Sequence, residues 1–216
     1  MDIEQARFNM IEQQIRTCDV LDPGALEALA QVKRERFVPA HLQALAFAEI
    51  EVPIGKGQTM LEPKTAAKAL QALQLKRGEH VLEIGTGSGY MAALMAARGA
   101  HVCSLEIEPE LAAQARRNLD RAGVDNVLVE DADGAAGWAE HAPYDVIIAS
   151  GAVDSIPANW REQLKVGGRL FAFVGRAPVM RAILVTRVSA SEYREHGVFE
   201  TVVPALKLAT QSQFVL

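Results

Sequence analysis

The sequence predicts a doubly wound α/β domain: a mostly parallel sheet with helices on both faces and a helical cap at its N-terminal end. Three observations carry this reading. Beyond residue 78, short aliphatic runs alternate with helical periodicities, the signature of βα units that feed a parallel sheet. The first run, Val81-Leu82-Glu83-Ile84, leads directly into Gly85-Thr86-Gly87-Ser88-Gly89 and then into a helix pattern. Before residue 78 the apolar spacing is helical, so the first third caps the sheet rather than standing alone. With 216 residues, half of them hydrophobic, the chain suits one large domain with a sizeable core and is too apolar for disorder.

Each element has its own warrant. In residues 3–17, Ile3, Ala6, Phe8, Met10, Ile11 and Ile15 suit an amphipathic helix. Asp22-Pro23-Gly24 starts a second, Asp being a good N-cap and Pro a good first helical residue. Leu26, Leu29, Ala30 and Val32 form its apolar face, and Arg36-Phe37-Val38-Pro39 ends it. A third short helix is expected over 40–47. Residues 50–63, broken by glycine and proline, read as an ordered loop, and helix returns over 64–75. The expected strands are then 81–84, 101–105, 127–129, 144–149, 169–174, 182–188 and a region near 198–203. Helices are expected over 89–97, 109–122 and 157–164, and Gly167-Gly168 turns the chain into the strand at 169. No internal repeat or low-complexity segment interrupts this order.

Composition narrows the function classes. A net charge of −5 with no long run of either sign argues against nucleic acid as a partner, which favours a basic patch. No run of about 18 apolar residues suggests a membrane span. Met1-Asp2-Ile3-Glu4 lacks the basic and apolar regions of a signal peptide. Cys18 and Cys103 are the only cysteines and are expected to be free and reduced, so a cytoplasmic location is expected. No Cys/His cluster has metal-ligand spacing, and no metal is expected. The five histidines, His41, His80, His101, His141 and His196, show no partner spacing for a triad and read as solvated.

The glycine turn carries the chemistry. Glycine lacks Cβ and lets a backbone approach a ligand closely. In an open α/β sheet, ligands bind beyond the carboxyl ends of the strands, where this turn sits. A dinucleotide fingerprint needs G-x-G-x-x-G. Gly85 and Gly87 fit it, but the third position is Tyr90, and the third glycine falls one residue early at Gly89. That spacing argues against a nicotinamide-dependent oxidoreductase. An ordinary βα turn is the bland alternative. Glu106 ends the second strand about 20 residues on, where an acid accepts hydrogen bonds from ribose hydroxyls. Asp133-Gly134 follows the third strand, and its carboxylate can accept from an adenine amino group; an Asp-Gly turn is the plain alternative. Asp145 starts the fourth strand, and Ser150-Gly151 ends it at the ligand edge. The acids Glu108 and Glu110 suit a helix N-terminus.

The E-x-G-x-G-x-G form of residues 83–89 resembles the cofactor turn of S-adenosylmethionine (SAM) dependent methyltransferases. Further segments are similar to one family of them, the protein-L-isoaspartate O-methyltransferases. Val32-Lys33-Arg34-Glu35-Arg36-Phe37-Val38-Pro39 is similar to its V-P-R-E-x-F-V-P stretch, with Lys33 in place of proline. Val52-Pro53-Ile54-Gly55-Lys56-Gly57-Gln58-Thr59 resembles its L-P-I-G-x-G-Q-T loop, the most specific of these segments. Asp133-Gly134 with Gly137-Trp138 matches D-G-x-x-G-W, with Ala132 where glycine is usual. Residues 144–149 followed by Pro157 resemble its fourth-strand region, and Val202-Val203-Pro204-Ala205-Leu206 its C-terminal V-P-L segment, with Ala205 inserted.

The resemblance implies a Rossmann-like methyltransferase domain over residues 1–216, with a helical cap and acceptor loop in 1–63 and a SAM-binding core in 64–216. It implies that Glu83, Ile84, Gly85, Thr86, Gly87, Ser88, Gly89 and Tyr90 hold the cofactor, with Glu106 and Ile107 at the ribose and Asp133 and Gly134 at the adenine. Gln58 and Thr59 line the transfer site. Ile54, Gly55, Leu61, Lys64, Val203 and Pro204 face the substrate, an isoaspartyl protein or peptide, and the protein is a monomer or weak homodimer. The implied reaction is attack of the isoaspartyl α-carboxylate on the sulfonium methyl. The resulting ester later cyclises and resets the backbone. A carboxylate of pKa about 4 is already ionised at pH 7, so no general base is needed. One departure bears on the acceptor: the family's G-Q-T-I-S-x-P is here Gly57-Gln58-Thr59-Met60-Leu61-Glu62-Pro63, with Leu61 at the serine position. Either Thr59 or Lys64 takes over carboxylate recognition, or the acceptor is another carboxylate or hydroxyl. A non-catalytic SAM-binding module is the remaining alternative.

Overall fold

Asp2 accepts a hydrogen bond from the Gln5 N–H and opens α1 (Ile3–Asn9) in the computed structural model, which describes residues 2–209. The expected helix over 3–17 is helical throughout but not uniform. After α1 it widens into a π-helical segment, Met10–Ile15, and then tightens into a 3-10 turn, Arg16–Cys18. The wider turn aligns residues five apart, so Met10 and Ile15 both point inward and are fully buried. Asp22 caps α2 (Pro23–Gln31) through the Ala25 N–H at 2.7 Å, with Pro23 in the first turn. That helix stops before residues 36–39, and two 3-10 segments follow, Arg34–Arg36 and Ala40–Leu45.

The segment read as a loop is a β-hairpin. Strands β1 (Val52–Gly55) and β2 (Gln58–Met60) pair antiparallel, joined by Lys56 and Gly57, which have φ of 55° and 74°. Two consecutive positive φ values match the right-handed twist of the strands they connect. Strands of four and three residues are too short to show a period of two, and Pro53 is tolerated because the ribbon has only edges. Val52 and Met60 are buried against the cap. Pro63 then starts α3 (Pro63–Leu73).

From there strand and helix alternate: β3 (His80–Ile84), α4 (Tyr90–Ala97), β4 (His101–Glu106), α5 (Pro109–Ala122), β5 (Val127–Asp131), β6 (Tyr144–Val153), α6 (Ala158–Glu162), β7 (Leu164–Arg176), β8 (Val179–Arg187) and β9 (Tyr193–Glu200). The sheet order is β5-β4-β3-β6-β7-β8-β9. The first five are parallel, and β8 and β9 close one edge antiparallel. The chain winds outward from β3 through β4 to β5, then restarts beside β3 with β6. The switch point therefore lies between the carboxyl ends of β3 and β6, where doubly wound sheets bind ligands.

Two departures from the expected strands matter here. Gly167-Gly168 is not a turn but a bulge inside β7, where the register jumps from Tyr144↔Leu164 to Val146↔Arg169. And β6 runs past residue 149, with a second jump between Ile148 and Ala152 that brackets Ser150 and Gly151. Bulges re-aim side chains at sheet ends, and this one sits at the switch point. The cap, α3, α4 and α5 pack on one face of the sheet; α6, with Trp160 fully buried, packs on the other. Burying a large apolar side chain contributes roughly 1.5–3 kcal/mol, so Phe171 on the first face and Trp160 on the second hold both layers to the strands that carry the site.

Candidate active site

The glycine turn is stitched to the end of β4. Gly85 and Thr86 donate their N–H groups to the Leu105 carbonyl at 2.9 and 3.1 Å. The buried carboxylate of Glu106 accepts from the Gly87 N–H at 2.8 Å and, through its other oxygen, from Glu108 N–H at 3.0 Å. A carboxylate oxygen accepts more than one donor, so Glu106 shapes the turn and retains capacity for a ligand hydroxyl. Gly85 has φ of 92°, and a Cβ there would lie 2.4 Å from Leu206 Cδ1. Gly134 is constrained by packing: a Cβ would lie 2.3 Å from Ile84 Cγ2. Its carbonyl accepts from the buried Trp160 indole at 2.9 Å, so the Asp133 turn is held between α6 and the end of β3. Asp133 in turn accepts from Ala135 N–H at 3.0 Å.

Beneath the turn lies a buried polar chain. Glu83 is fully buried and accepts from Ser104 Oγ at 2.6 Å and from Ser150 Oγ at 2.7 Å. Thr86 Oγ1 is 2.6 Å from Ser104 Oγ. Burial pushes the Glu83 carboxyl up to about 7, against the two serine hydrogen bonds that pull it down, with the nearby Glu106 charge adding to the rise. Three strands, β3, β4 and β6, are thus joined by one carboxyl group.

The hairpin supplies the opposite wall. Its Ile54 side chain reaches over Gly87, where a Cβ would come within 3.1 Å of Ile54 Cδ1. Arg34, fully buried, donates to the Ala46 carbonyl at 2.9 Å and to the Leu61 carbonyl at 2.8 Å. Its guanidinium lies 4.9 Å from the centre of the Tyr90 ring, the first residue of α4. One buried cation thereby fixes the backbone of Leu61 against the helix that follows the glycine turn. Thr59 Oγ1 lies 3.4 Å from Glu51 Oε2, and the Lys64 ammonium lies 3.6 Å from Glu49. Partial burial holds the carboxyls of Glu49 and Glu51 above the usual range, with the charge of Glu62 adding to both.

Hairpin and turn meet in one cleft. It is lined by Ile54, Gln58, Thr59 and Leu61 from the hairpin side, and by Ile84, Gly85, Gly87, Glu106, Ile107 and Gly134 from the sheet. Ser150 and Gly151 line it from β6, and Pro204 to Leu208 close it from above.

Most of the chain, not the cleft alone, matches known proteins. The family model for protein-L-isoaspartate(D-aspartate) O-methyltransferase matches residues 5–203. A Marinobacter nauticus protein, protein-L-isoaspartate O-methyltransferase 2, is 46% identical over 195 residues, 90% of this chain and 89% of its own length. The chain belongs to the protein-L-isoaspartate O-methyltransferase family. A Picosynechococcus protein-L-isoaspartate O-methyltransferase is likewise 46% identical, over 78% of this chain and 76% of its own. A solved Plasmodium falciparum structure, described as a protein-L-isoaspartate O-methyltransferase in complex with S-adenosyl-L-homocysteine, superposes with a TM-score of 0.82. It covers 96% of this chain and 99% of its own at 18% identity, so it speaks for the fold. The sequence-based expectation of a SAM-dependent methyltransferase of this family and fold is met.

Within this methyltransferase, eleven of the expected site residues line the cleft together: Ile54, Gln58, Thr59, Leu61, Ile84, Gly85, Gly87, Glu106, Ile107, Gly134 and Pro204. Others stand behind it. Glu83, Thr86, Ser88 and Tyr90 are buried, and Gly89 caps α4. Gly55 and Ser88 face a neighbouring groove against α5. Asp133 accepts from the Ala209 N–H, Val203 is buried beside Met180, and Lys64 pairs with Glu49. All five histidines are exposed, both cysteines are free, and no metal-binding cluster occurs among the described residues. The sequence reading placed Ser150 at the ligand edge without a role, and missed Arg34, Ser104 and Leu206. Arg34 lies inside a segment similar to the family, which was the available signal. Leu206 lies in another such segment, residues 202–206, whereas Ser104 carries no signal, because only the fold brings it to the turn.

Proposed function

We propose that the cleft holds SAM against the glycine turn and presents an L-isoaspartyl α-carboxylate to it from the hairpin side. Gln58, Thr59 and Leu61 share one cleft with Gly85, Gly87 and Glu106, and this juxtaposition of acceptor loop and cofactor turn carries the reading. The residues present fit the cofactor: a glycine backbone too tight for side chains, an acid at the end of β4, and an acid–glycine turn after β5. When bound, SAM supplies an electrophilic methyl group on a sulfonium.

In this proposal Glu106 takes the ribose hydroxyls, Asp133 the adenine amino group, and Ser150, held by Glu83, the methionine end. Gln58 and Thr59 orient the acceptor carboxylate, and Leu61, fixed by Arg34, forms an apolar wall. The carboxylate enters already ionised, so these residues need only align it and keep water out. Thr59 lines the cleft and Lys64 does not, which favours Thr59 over Lys64 as the contact to the carboxylate. The substrates are isoaspartyl proteins and peptides. The two free thiols support work in a reducing cytoplasm, as a monomer or weak homodimer.

The test is a pair of variants. Glu106→Ala should lose affinity for S-adenosylhomocysteine by calorimetry, whereas Gln58→Ala should keep that affinity and lose turnover on an isoaspartyl peptide. The reverse pattern overturns the assignment of the two walls.

A further inference from the structure

The upper wall of the cleft is the chain's own C-terminal segment, and it lies where the cofactor is assigned. The strap is rooted at Thr201, whose N–H donates to the Met180 carbonyl at 3.3 Å, and at the buried Val203. It then crosses the end of β6: Ala152 N–H donates to Pro204 O at 2.8 Å, and Leu206 N–H donates to Ala152 O at 2.7 Å. Leu206 drops its side chain onto Gly85. Lys207 reaches over β4 to pair with Glu108. Ala209 N–H donates to the Asp133 carboxylate after β5, at 3.3 Å. Six residues thus span the carboxyl ends of β6, β3, β4 and β5 in turn. Leu206 and Ala209 lie on Gly85 and Asp133, two of the places assigned to the cofactor, and the cleft beneath the segment is narrow, with about 50 Å³ of room for a water-sized sphere.

We propose that residues 204–209 are an autoinhibitory strap that occupies the cofactor cleft, and that SAM binds only when the strap lifts. The proposal rests on the cofactor assignment above. The contacts suit a reversible closure. They comprise three backbone N–H bonds, a half-exposed ion pair, and one leucine on a glycine surface, and surface ion pairs hold weakly. The root stays in place, with Val203 in the core and Thr201 bonded to Met180, so the strap can open without disturbing the sheet. One oxygen of Asp133 and the face of Gly85 are thus covered by the strap in the closed state and released together for the cofactor in the open one. A site open only a fraction of the time shows an affinity reduced by that fraction.

The test uses the full chain and S-adenosylhomocysteine. Leu206→Ala removes the plug over Gly85, and the exposed Lys207→Glu replaces the ion pair by repulsion. Each should tighten S-adenosylhomocysteine binding in calorimetry, by up to about tenfold if the strap is closed nine-tenths of the time. Saturating ligand should also speed trypsin cleavage after Lys207 in the unaltered protein, read by mass spectrometry. Weaker or unchanged binding in both variants, with Lys207 protected by the ligand, overturns the proposal and makes the strap a wall of the loaded site. Glu106→Ala separates the two assignments: if it leaves the affinity intact, the cofactor lies elsewhere and the strap proposal falls with that assignment.

Discussion

Glu83 is the residue whose chemistry departs most from its type. A carboxyl raised to about 7, from 4.5 in the open chain, binds a proton in the folded state that the unfolded state has already released. Stability therefore falls as pH rises from 4.5 to 7, and the full penalty stands above that window. The shift corresponds to about 3 kcal/mol as an upper figure. Glu83→Gln keeps the shape and removes the charge, so its unfolding curve in urea should show a flatter dependence on pH and greater stability than the parent at pH 8. An unchanged slope between pH 4.5 and 7 would contradict the assignment of that proton to Glu83. Arg34 offers a second test. Arg34→Met leaves the Ala46 and Leu61 carbonyls without their buried donor, and each orphaned group costs about 1–3 kcal/mol. We expect a lower Tm and a raised KM for the isoaspartyl peptide, since Leu61 loses its anchor. Leu61→Ser should add one donor to the carboxylate, a charged hydrogen bond of about 1.5 kcal/mol, and lower the peptide KM about tenfold. A KM that does not move would place residue 61 away from the carboxylate. Single residues were legible where type and position agreed, as for Glu106 at a strand end and Asp22 at a helix start. Glu83, expected among the cofactor residues, is buried, because its strand face turns it inward to Ser104 and Ser150.

At the scale of elements, the hairpin decides where the acceptor sits. Its turn holds both Lys56 and Gly57 at positive φ, and a β-branched residue is strained there. Gly57→Val should cost roughly 1–2 kcal/mol and raise the peptide KM, while S-adenosylhomocysteine affinity, set by the sheet side, stays within about twofold of the parent's. A parallel loss of cofactor affinity would mean that the hairpin is not a separate wall. This hairpin was the element least visible in the sequence. Glycine and proline in residues 50–63 signal a break in regular structure, but here they serve a two-residue turn and an edge strand. The π-helical segment was hidden for a related reason: a spacing of five between Met10 and Ile15 looks like a fault in a helix of period 3.6. The βαβ strands and their helices were legible because glycine or proline bounds them and each apolar run has the length of its type, although β3, β4 and α4 are buried all round and show no period.

The whole molecule divides its work between a cap that brings the hairpin and a sheet that brings the turn. Its fold class followed from alternation alone. Sheet order did not, because nothing local in the strands says that β6 returns beside β3, or that β8 and β9 close the edge antiparallel. The place of the strap was not legible either: residues 202–206 resemble a family segment, but residues 204–209 have no periodicity, and their position over the cleft depends on where β9 ends. The central claim for the molecule is that cleft and hairpin together methylate the isoaspartyl carboxylate. The most direct measurement is transfer of a labelled methyl group from SAM to a synthetic peptide carrying L-isoaspartate, beside its normal aspartyl isomer. The account predicts base-labile label in the isoaspartyl peptide and none above background in the aspartyl one. Equal labelling of both, or label that resists base, would contradict it.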